Sequence, residues 1–176
     1  MRYNELTFQG RNAVLEAFRS GKTIDKLFIL DGCQDGPIKS IVREAKKTDA
    51  IINYVDKERL DRLAGTGHHQ GVVAIGAAYE YAEVDDILAS AKEKGEDPFI
   101  FILDEIEDPH NLGAIIRTAN LAGAHGVIIP KRRAVGLTAT VAKTSAGAIN
   151  YTPVAKVTNI SQTIEELKKQ GLWFVC

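Results

Sequence analysis

Arg117 is the single charged residue in the apolar stretch between Leu112 and Ala124. A guanidinium stays protonated at physiological pH, and its planar fork of donors matches a phosphate. On a helical wheel of about 100° per residue, one apolar face should pack on a sheet; it carries Leu112, Ile115, Ile116, Ala119 and Ala122. The opposite face carries Gly113, Ala114, Arg117 and Leu121. Because that face is small and apolar around one cation, we expect a substrate or a second subunit to cover it, with Gly113 leaving space beneath the guanidinium.

Two residues can begin this helix, and both place its start near the end of a strand. Asp108 followed by Pro109 is a typical cap with a first-turn proline, and Asn111 is an alternative cap. The preceding run, 98–106, is almost continuously apolar, which predicts a strand covered on both faces. Open α/β sheets bind ligands at the carboxyl ends of such strands. In the structural alternative, Asn111 only caps the helix and Arg117 forms an interface salt bridge.

The composition is that of an ordinary globular protein, with 45% apolar and 26% charged residues in a chain of 176. No apolar run is long enough to span a bilayer, and the first ten residues lack the apolar core of a signal peptide, so we expect a cytoplasmic protein. Cys33 and Cys176 form no metal or redox motif, and no metal is expected. The segment 79–97 carries 2 basic and 7 acidic residues, whereas both flanking regions are slightly basic.

Alternating helix and strand patterns divide the chain into two modules joined by the acidic segment. In residues 1–78 the patterns predict helices at 12–21, 36–50 and 57–65 and strands at 26–30, 51–55 and 71–77. The acidic linker and its leading helix occupy 79–97. In residues 98–176 they predict strands at 98–106, 126–130, 151–157 and 172–176, with helices at about 111–123, 138–147 and 161–171.

Several segments together resemble the SpoU branch of the SPOUT RNA methyltransferases. The run NLGAIIRTA (111–119) is similar to motif 1 of that family. GRNAVLEAF (10–18) and HHQGVVA (68–74) resemble its N-terminal RNA-binding module, and 137–157 resembles the segment between its second and third catalytic-domain strands. The resemblance implies an α/β chain with a small, ribosomal-protein-like RNA-binding module. The first part of a Rossmann-like SPOUT domain, normally trefoil-knotted, would follow.

The two-module form most resembles bacterial enzymes that methylate a guanosine 2′-hydroxyl in 23S rRNA. The resemblance therefore implies S-adenosylmethionine as the cofactor, RNA as the partner with rRNA favoured over tRNA, and a homodimer. It implies catalytic roles for Arg117 and its companion Asn111. Because a guanidinium is a poor base, we expect Arg117 to clamp the target phosphate and to stabilise a developing alkoxide, with the proton acceptor left open.

Further residues are candidates for RNA contact by their position or by the resemblance. Lys131, Arg132 and Arg133 follow the strand at 126–130, on the edge where the Arg117 helix begins, with a solvated loop as the alternative. The others lie in the N-terminal module, beside Asn111, or in the segment 143–148, where helix packing is the alternative; they are Arg11, Asn12, His69, Gln70, His110, Gly113, Lys143 and Ser145.

The second module is expected to be incomplete. No crossover helix follows the predicted strand at 172–176, although a domain that ends on a strand is the alternative. In the family, motifs 2 and 3, the knot and the cofactor pocket follow the fourth catalytic-domain strand. We therefore expect no knot and no cofactor-binding residues before Cys176, and an isolated chain that does not methylate RNA. The competing hypothesis is a non-catalytic RNA-binding protein with a vestigial second domain.

Overall fold

The computed structural model describes residues 6–48, 50–65 and 67–175. They form two compact units, residues 1–78 and residues 79–176, hereafter the N-terminal and C-terminal units. Both units mix helices with a sheet, which confirms the α/β class predicted from the sequence.

The N-terminal unit is built on a four-stranded mixed sheet in the order β1-β4-β2-β3. β4 runs antiparallel to β1 and β2, whereas β2 and β3 are parallel. The elements of this unit are β1 (Leu6–Gln9), α1 (Arg11–Arg19), β2 (Ile24–Leu30), α2 (Gly36–Lys47), β3 (Ile51–Val55), α3 (Lys57–Ala64) and β4 (Val72–Gly76).

Side-chain alternation on β2 and β4 gives the N-terminal sheet two buried faces. Leu27 and Ile29 pack with α1 and α2 in one cluster, while Phe28 packs with Leu60 of α3 in another. This alternation follows from the two-residue repeat of a strand. Aspartates fix where two of the helices begin, because Asp35 accepts the Ile38 N–H at 3.1 Å and Asp56 accepts the Arg59 N–H at 2.8 Å.

β1 was absent from the sequence prediction. It pairs antiparallel with β4 from Leu6 to Gln9 and so adds an outer strand to the sheet. The signal was present, since apolar Leu6 and Phe8 alternate with polar Thr7 and Gln9. Four residues are too few for such an alternation to stand out without its partner strand.

The C-terminal unit is built on a three-stranded parallel sheet in the order β5-β6-β7. Its elements are α4 (Val84–Lys94), β5 (Ile100–Ile102), α5 (Pro109–Leu121), β6 (Gly126–Pro130), α6 (Ala139–Thr144), a 3-10 helix (Ala148–Asn150), β7 (Val154–Val157) and α7 (Ile160–Lys169). α5 and α6 pack on one face of this sheet against Val127 and Ile129, whereas α4 and α7 pack on the other face against Ile128.

Two strand predictions in the C-terminal unit need correction. The run 98–106 contains only a three-residue strand, Ile100–Ile102, which is half-buried because it pairs with β6 alone among the described strands. Residues 172–175 form no strand, and Cys176 lies outside the described residues. Leu172 and Phe174 still pack beside α4 and α7, so the apolar pattern is used for packing without a neighbouring strand to pair with.

A buried histidine joins the start of β5 to the start of β6. Nδ1 of His125 accepts the Phe99 N–H at 3.1 Å, so Nε2 carries the ring proton and donates it to Glu96 at 3.0 Å. Only 4% of His125 is exposed. His125 lies in the loop between α5 and β6, and its neighbours along the chain do not indicate which groups it binds.

Candidate functional site

The helix that carries Arg117 begins at Asp108, the first of the two predicted caps. The Asp108 carboxylate accepts the His110 N–H at 2.8 Å, and Pro109 is the first helical residue. Asn111 therefore lies within the first turn of α5 instead of capping it. Both His110 and Asn111 are exposed. The predicted position of the helix start, just after β5, is confirmed.

Arg117 is exposed in the middle of α5. It makes no hydrogen bond or ion pair with any residue in the part of the chain that the structure describes. Leu121, one turn further along the same stripe, is 81% exposed. The predicted packing face is largely correct, since Leu112, Ile116 and Ala119 are fully buried. An unpaired guanidinium next to an exposed leucine is therefore a real feature of this helix surface.

Gly113 does not have the role that the sequence suggested. It is buried, and a Cβ at this position would overlap Oγ1 and Cβ of Thr144 on α6. The space beside this glycine is already filled by α6, so the prediction that Gly113 leaves room for RNA beneath Arg117 is wrong. The glycine instead lets α5 and α6 approach closely.

The two predicted catalytic residues do not share a face of α5. Six positions separate Asn111 from Arg117, which corresponds to about 120° around the helix axis and about 9 Å along it. His110 is seven positions from Arg117, so it lies on the same stripe within about 20°. A ligand that touches Arg117 from outside therefore reaches His110 more easily than Asn111.

The segment 143–148 contributes one exposed candidate and one buried residue. Lys143 is exposed at the end of α6. Ser145 is completely buried, and its hydroxyl donates to the Ala142 carbonyl at 2.9 Å. The predicted RNA contact of Ser145 is therefore wrong, and the packing alternative explains this residue. The Thr144 hydroxyl lies 3.3 Å from the Pro109 carbonyl, which ties α6 to the start of α5.

The basic loop after β6 lies at the carboxyl edge of the sheet, as predicted. Lys131 is half-buried and its N–H donates to the Val157 carbonyl at 2.8 Å, whereas Arg132 and Arg133 are exposed. Arg133 donates to Glu105 at 2.9 Å. Both partners of this ion pair have positive φ angles, 55° for Arg133 and 56° for Glu105. Two neighbouring loops thus meet through unusual backbone conformations.

In the N-terminal unit the structure brings two of the predicted residues, Arg11 and Gln70, together. The Arg11 N–H donates to the Gln70 side-chain oxygen at 3.1 Å, and Arg11 Nε donates to the Gln70 carbonyl at 3.2 Å. The Arg11 guanidinium also forms an ion pair with Asp35. Asn12, the next residue on α1, is exposed.

His69 is a structural residue. It is 5% exposed, its Nδ1 accepts the Gly71 N–H at 3.0 Å, and its Nε2 donates to Asp61 at 3.0 Å. With both ring nitrogens engaged and the ring buried, His69 has no free group for RNA, so its predicted contact role is wrong. The exposed residue of the pair is His68.

The structure also bears on metal binding and on membrane insertion. Within residues 6–48, 50–65 and 67–175, no three His, Cys, Asp or Glu side chains are grouped closely enough to hold a metal ion. The helices of the same residues include none with the length and apolar character needed to cross a bilayer.

Comparison with known families decides the relationship. A model of RNA 2′-O ribose methyltransferase substrate-binding domains matches residues 9–82, and the SpoU rRNA methylase family model matches residues 98–176. The chain belongs to the SpoU family. The two matches cover both units of the structure.

Curated relatives and one solved structure are similar to this chain. The chain is 54% identical over 166 residues to the TrmH family tRNA/rRNA methyltransferase YacO of Bacillus subtilis, covering 94% of this chain and 66% of that protein. It is 50% identical to a TrmH family tRNA/rRNA methyltransferase of Staphylococcus haemolyticus, covering 96% of this chain and 68% of the relative. The chain thus spans about two thirds of these proteins. AviRb of Streptomyces viridochromogenes, a SpoU methyltransferase in complex with AdoMet, aligns over 95% of this chain and 59% of its own, at 19% identity with a TM-score of 0.46.

The surface around Arg117 does not by itself fit S-adenosylmethionine. Arg117 and Leu121 lie on the exposed, convex side of a helix. Such a surface contacts a ligand from one side and cannot enclose it, whereas small-molecule sites are concave and bury most of the ligand. None of the described residues of α5 is therefore assigned to the cofactor.

Proposed function

We propose that this SpoU protein methylates a ribose 2′-hydroxyl of RNA with S-adenosylmethionine as the methyl donor. Its substrate on this proposal is a guanosine of 23S rRNA, in the cytoplasm. Membership of the SpoU family supports the reaction class, and the two-unit organisation is that of the bacterial rRNA enzymes that the chain resembles. The observation that carries the proposal is the exposed, unpaired Arg117 on the helix that follows β5.

On this proposal Arg117 binds the phosphate next to the target ribose. A guanidinium that pairs with no protein carboxylate keeps its full charge and all its donors for a phosphate. His110, on the same stripe of α5, would lie along the bound RNA. Asn111 lies about 120° away around the helix, so it would contact a different part of the substrate or a group from another subunit.

The N-terminal unit and the basic loop would bind RNA away from the reacting ribose. In the N-terminal unit the accessible candidates are Asn12 and the side chains of Arg11 and Gln70. In the C-terminal unit they are Lys143 and the loop of Lys131, Arg132 and Arg133.

We also propose that the protein is a homodimer through the exposed side of α5. Leu121 is 81% exposed and Tyr151 is 80% exposed. Their neighbours meet, because the Thr152 hydroxyl donates to Asn120 at 3.1 Å, so the two apolar side chains lie on adjoining backbone. L121D should lower the dimer fraction in analytical ultracentrifugation, and an unchanged sedimentation coefficient would contradict this interface.

By the resemblance, motifs 2 and 3 of the family form the cofactor pocket, and none of the described residues is assigned to them. We therefore infer that the 176-residue chain neither binds S-adenosylmethionine with normal affinity nor methylates RNA by itself. Isothermal titration calorimetry with S-adenosylmethionine tests this, and micromolar binding to the chain would contradict it.

Methyl transfer is tested in a chimera that adds the part of the Bacillus subtilis relative that this chain does not span. The chimera should transfer labelled methyl groups to 23S rRNA, and R117A should reduce the rate by about 100-fold or more, as is typical for loss of a charge-stabilising group. R117K should be almost as slow as R117A, because an ammonium cannot form the bidentate contact with a phosphate. R43A, at a 73% exposed side chain of α2, is the control and should keep the rate. Equal rates for R117A and R43A would contradict the proposed role.

A further inference from the structure

A cavity of about 540 Å³ opens at the carboxyl edge of the C-terminal sheet, and no residue of α5 lines it. It lies where β6 and β7 end, and it is lined by the last residue of β6, the loops after β5, β6 and β7, and the start of α7. These residues are Asp104, Pro130, Arg132, Arg133, Thr158, Asn159, Ile160 and Ser161. Cavities of roughly 300 to 1,000 Å³ are the usual size for a small-molecule or nucleotide ligand.

The course of the chain explains why a crevice forms at this edge. After β6 the chain turns to α6 on one face of the sheet, whereas after β7 it turns to α7 on the opposite face. Adjacent parallel strands whose connections leave toward opposite faces have a gap between their carboxyl ends, and ligands of open α/β sheets bind in such gaps. The position of the cavity is therefore a consequence of the fold and not of one side-chain conformation.

The lining has the charges that a nucleotide needs. Arg132 makes no hydrogen bond or ion pair with any other described residue, so its guanidinium is available to a phosphate. Arg133 is held by Glu105, and this pair fixes the loop beside the cavity. Asp104 also lines the cavity and has no partner among the described residues. A carboxylate here disfavours a bare anion but accepts hydrogen bonds from ribose hydroxyls or base amino groups.

A cavity in the N-terminal unit is less suited to this ligand. Its volume is about 340 Å³, and its charged lining is Asp31, Asp56 and Arg59. Two carboxylates against one guanidinium repel a phosphate, and Asp56 is already engaged in capping α3.

We propose that the crevice between β6 and β7 binds one nucleotide of the RNA substrate, with its phosphate on Arg132 and its ribose or base on Asp104. The inference rests on the proposed function in that the nucleotide belongs to an RNA. The crevice would be a second RNA-binding point, separate from the Arg117 helix. It would hold a nucleotide other than the one that is methylated.

The experiment uses the 176-residue chain and two probes, a fluorescein-labelled single-stranded oligoribonucleotide and 5′-GMP. For the oligoribonucleotide, R132A should raise Kd about tenfold, as expected for one charge-assisted phosphate contact. It should also flatten the slope of log K against log salt concentration by about 0.7. K169A removes an exposed cation at the far end of α7 and is the matched control. It should leave Kd within about twofold, which is the scale of an exposed charge without a specific contact.

NMR locates the ligand. Addition of either probe should shift the backbone amide signals of residues 158–161. D104N should weaken 5′-GMP binding, whereas binding of inorganic phosphate, used as a third probe, should tighten because the carboxylate that repels a bare anion is gone. Circular dichroism shows whether each variant is folded. Signals at 158–161 that do not move, or equal Kd values for R132A and K169A, would overturn the crevice site while RNA binding by the chain still stands.

The two proposals fail in different ways. Wild-type chain that binds no oligoribonucleotide in low salt would count against the proposed RNA function. If 5′-GMP shifts residues 158–161 but RNA does not compete for them, the crevice takes free nucleotides, and its assignment to the RNA substrate is overturned.

Discussion

Candidate RNA-binding arginines are paired in both units, Arg11 with Asp35 and Arg133 with Glu105, but the C-terminal unit also has arginines that are unpaired among the described residues. In the N-terminal unit Arg11 is held by Gln70 and by Asp35. In the C-terminal unit Arg117 and Arg132 are exposed and engage no other described residue. An arginine that is already paired must give up its carboxylate before it binds a phosphate, whereas an unpaired one does not. If both units bind RNA as proposed, Arg117 and Arg132 should therefore contribute more to phosphate binding than Arg11.

The two units are alike in their buried histidines and differ in the packing around their helical glycines. Each unit has one buried histidine whose Nδ1 accepts a backbone N–H and whose Nε2 donates to a carboxylate, His69 and His125. Each also has a helical glycine with ordinary φ, Gly36 and Gly113, but only Gly113 is pressed against another helix. The histidines therefore perform the same structural task in both units, while of these two glycines only Gly113 lets two helices approach closely.

The largest expected effect is that of G113A. The added Cβ would overlap Thr144 on α6, and relief requires α5 and α6 to move apart. We expect a loss of about 3 kcal/mol in the free energy of unfolding of the C-terminal unit, the upper range for overpacking. Urea denaturation followed by circular dichroism measures it.

G36A is the control for this prediction. A Cβ at Gly36 in α2 meets nothing within 4 Å, so G36A should be neutral or slightly stabilising. The double variant G113A/T144G removes the overlapping side chain and should recover part of the loss. Equal stability of G113A and G36A would show that α5 and α6 are not in close contact.

The next effect tests the parallel between the histidines. H69A and H125A each leave a buried backbone N–H without its acceptor, that of Gly71 or that of Phe99. Each should cost about 2 kcal/mol of stability, and hydrogen exchange should rise in the unit that carries the change. H68A and H110A alter exposed histidines and should be neutral. If H69A lost RNA affinity without losing stability, His69 would contact RNA as first predicted, and its structural role would be contradicted.

A smaller effect tests the contrast between paired and free arginines. D35N keeps an oxygen that accepts the Ile38 N–H, so the cap on α2 is retained while the charge that holds Arg11 is removed. RNA affinity should rise roughly twofold to fivefold, the scale of an exposed ion pair. D31N removes an exposed carboxylate of the same unit that forms no ion pair with Arg11, and it should change affinity less. If D31N and D35N act equally, Arg11 is not restrained by Asp35.

The smallest expected change in stability comes from removing one exposed ion pair from each unit. The Lys47 ammonium donates to Glu44 and lowers the pKa of that carboxyl below its ordinary value of 4.5, and Lys168 lowers the pKa of Glu165 from 4.5 in the same way. A lowered folded-state pKa contributes stability above the unfolded-state pKa, and the contribution is lost as pH falls through the folded-state value. E44Q and E165Q should therefore destabilise slightly and equally at neutral pH and not at acidic pH. A difference from wild type that persists in acid would contradict this origin.

Much of the secondary structure could be predicted from spacing alone. The Arg117 helix, its buried face and its start after a strand depend on neighbouring residues, and all three were predicted correctly. The strand predictions that were wrong depend on contacts between residues that are distant in the sequence. Leu6–Gln9 needs β4 to become a strand, and 172–175 has no neighbouring strand to pair with despite its apolar residues.

In the candidate site, too, local features could be predicted from the sequence and contacts between distant residues could not. The sequence by itself determined the family, the exposed Arg117 and the basic loop, because motif identity and the helical repeat are local properties. Only the tertiary structure decided that Gly113 and Ser145 serve packing, that His69 is fully engaged, and that Arg132 borders a crevice. A residue's type states which bonds it can form, but the elements packed around it decide which of those bonds are already made.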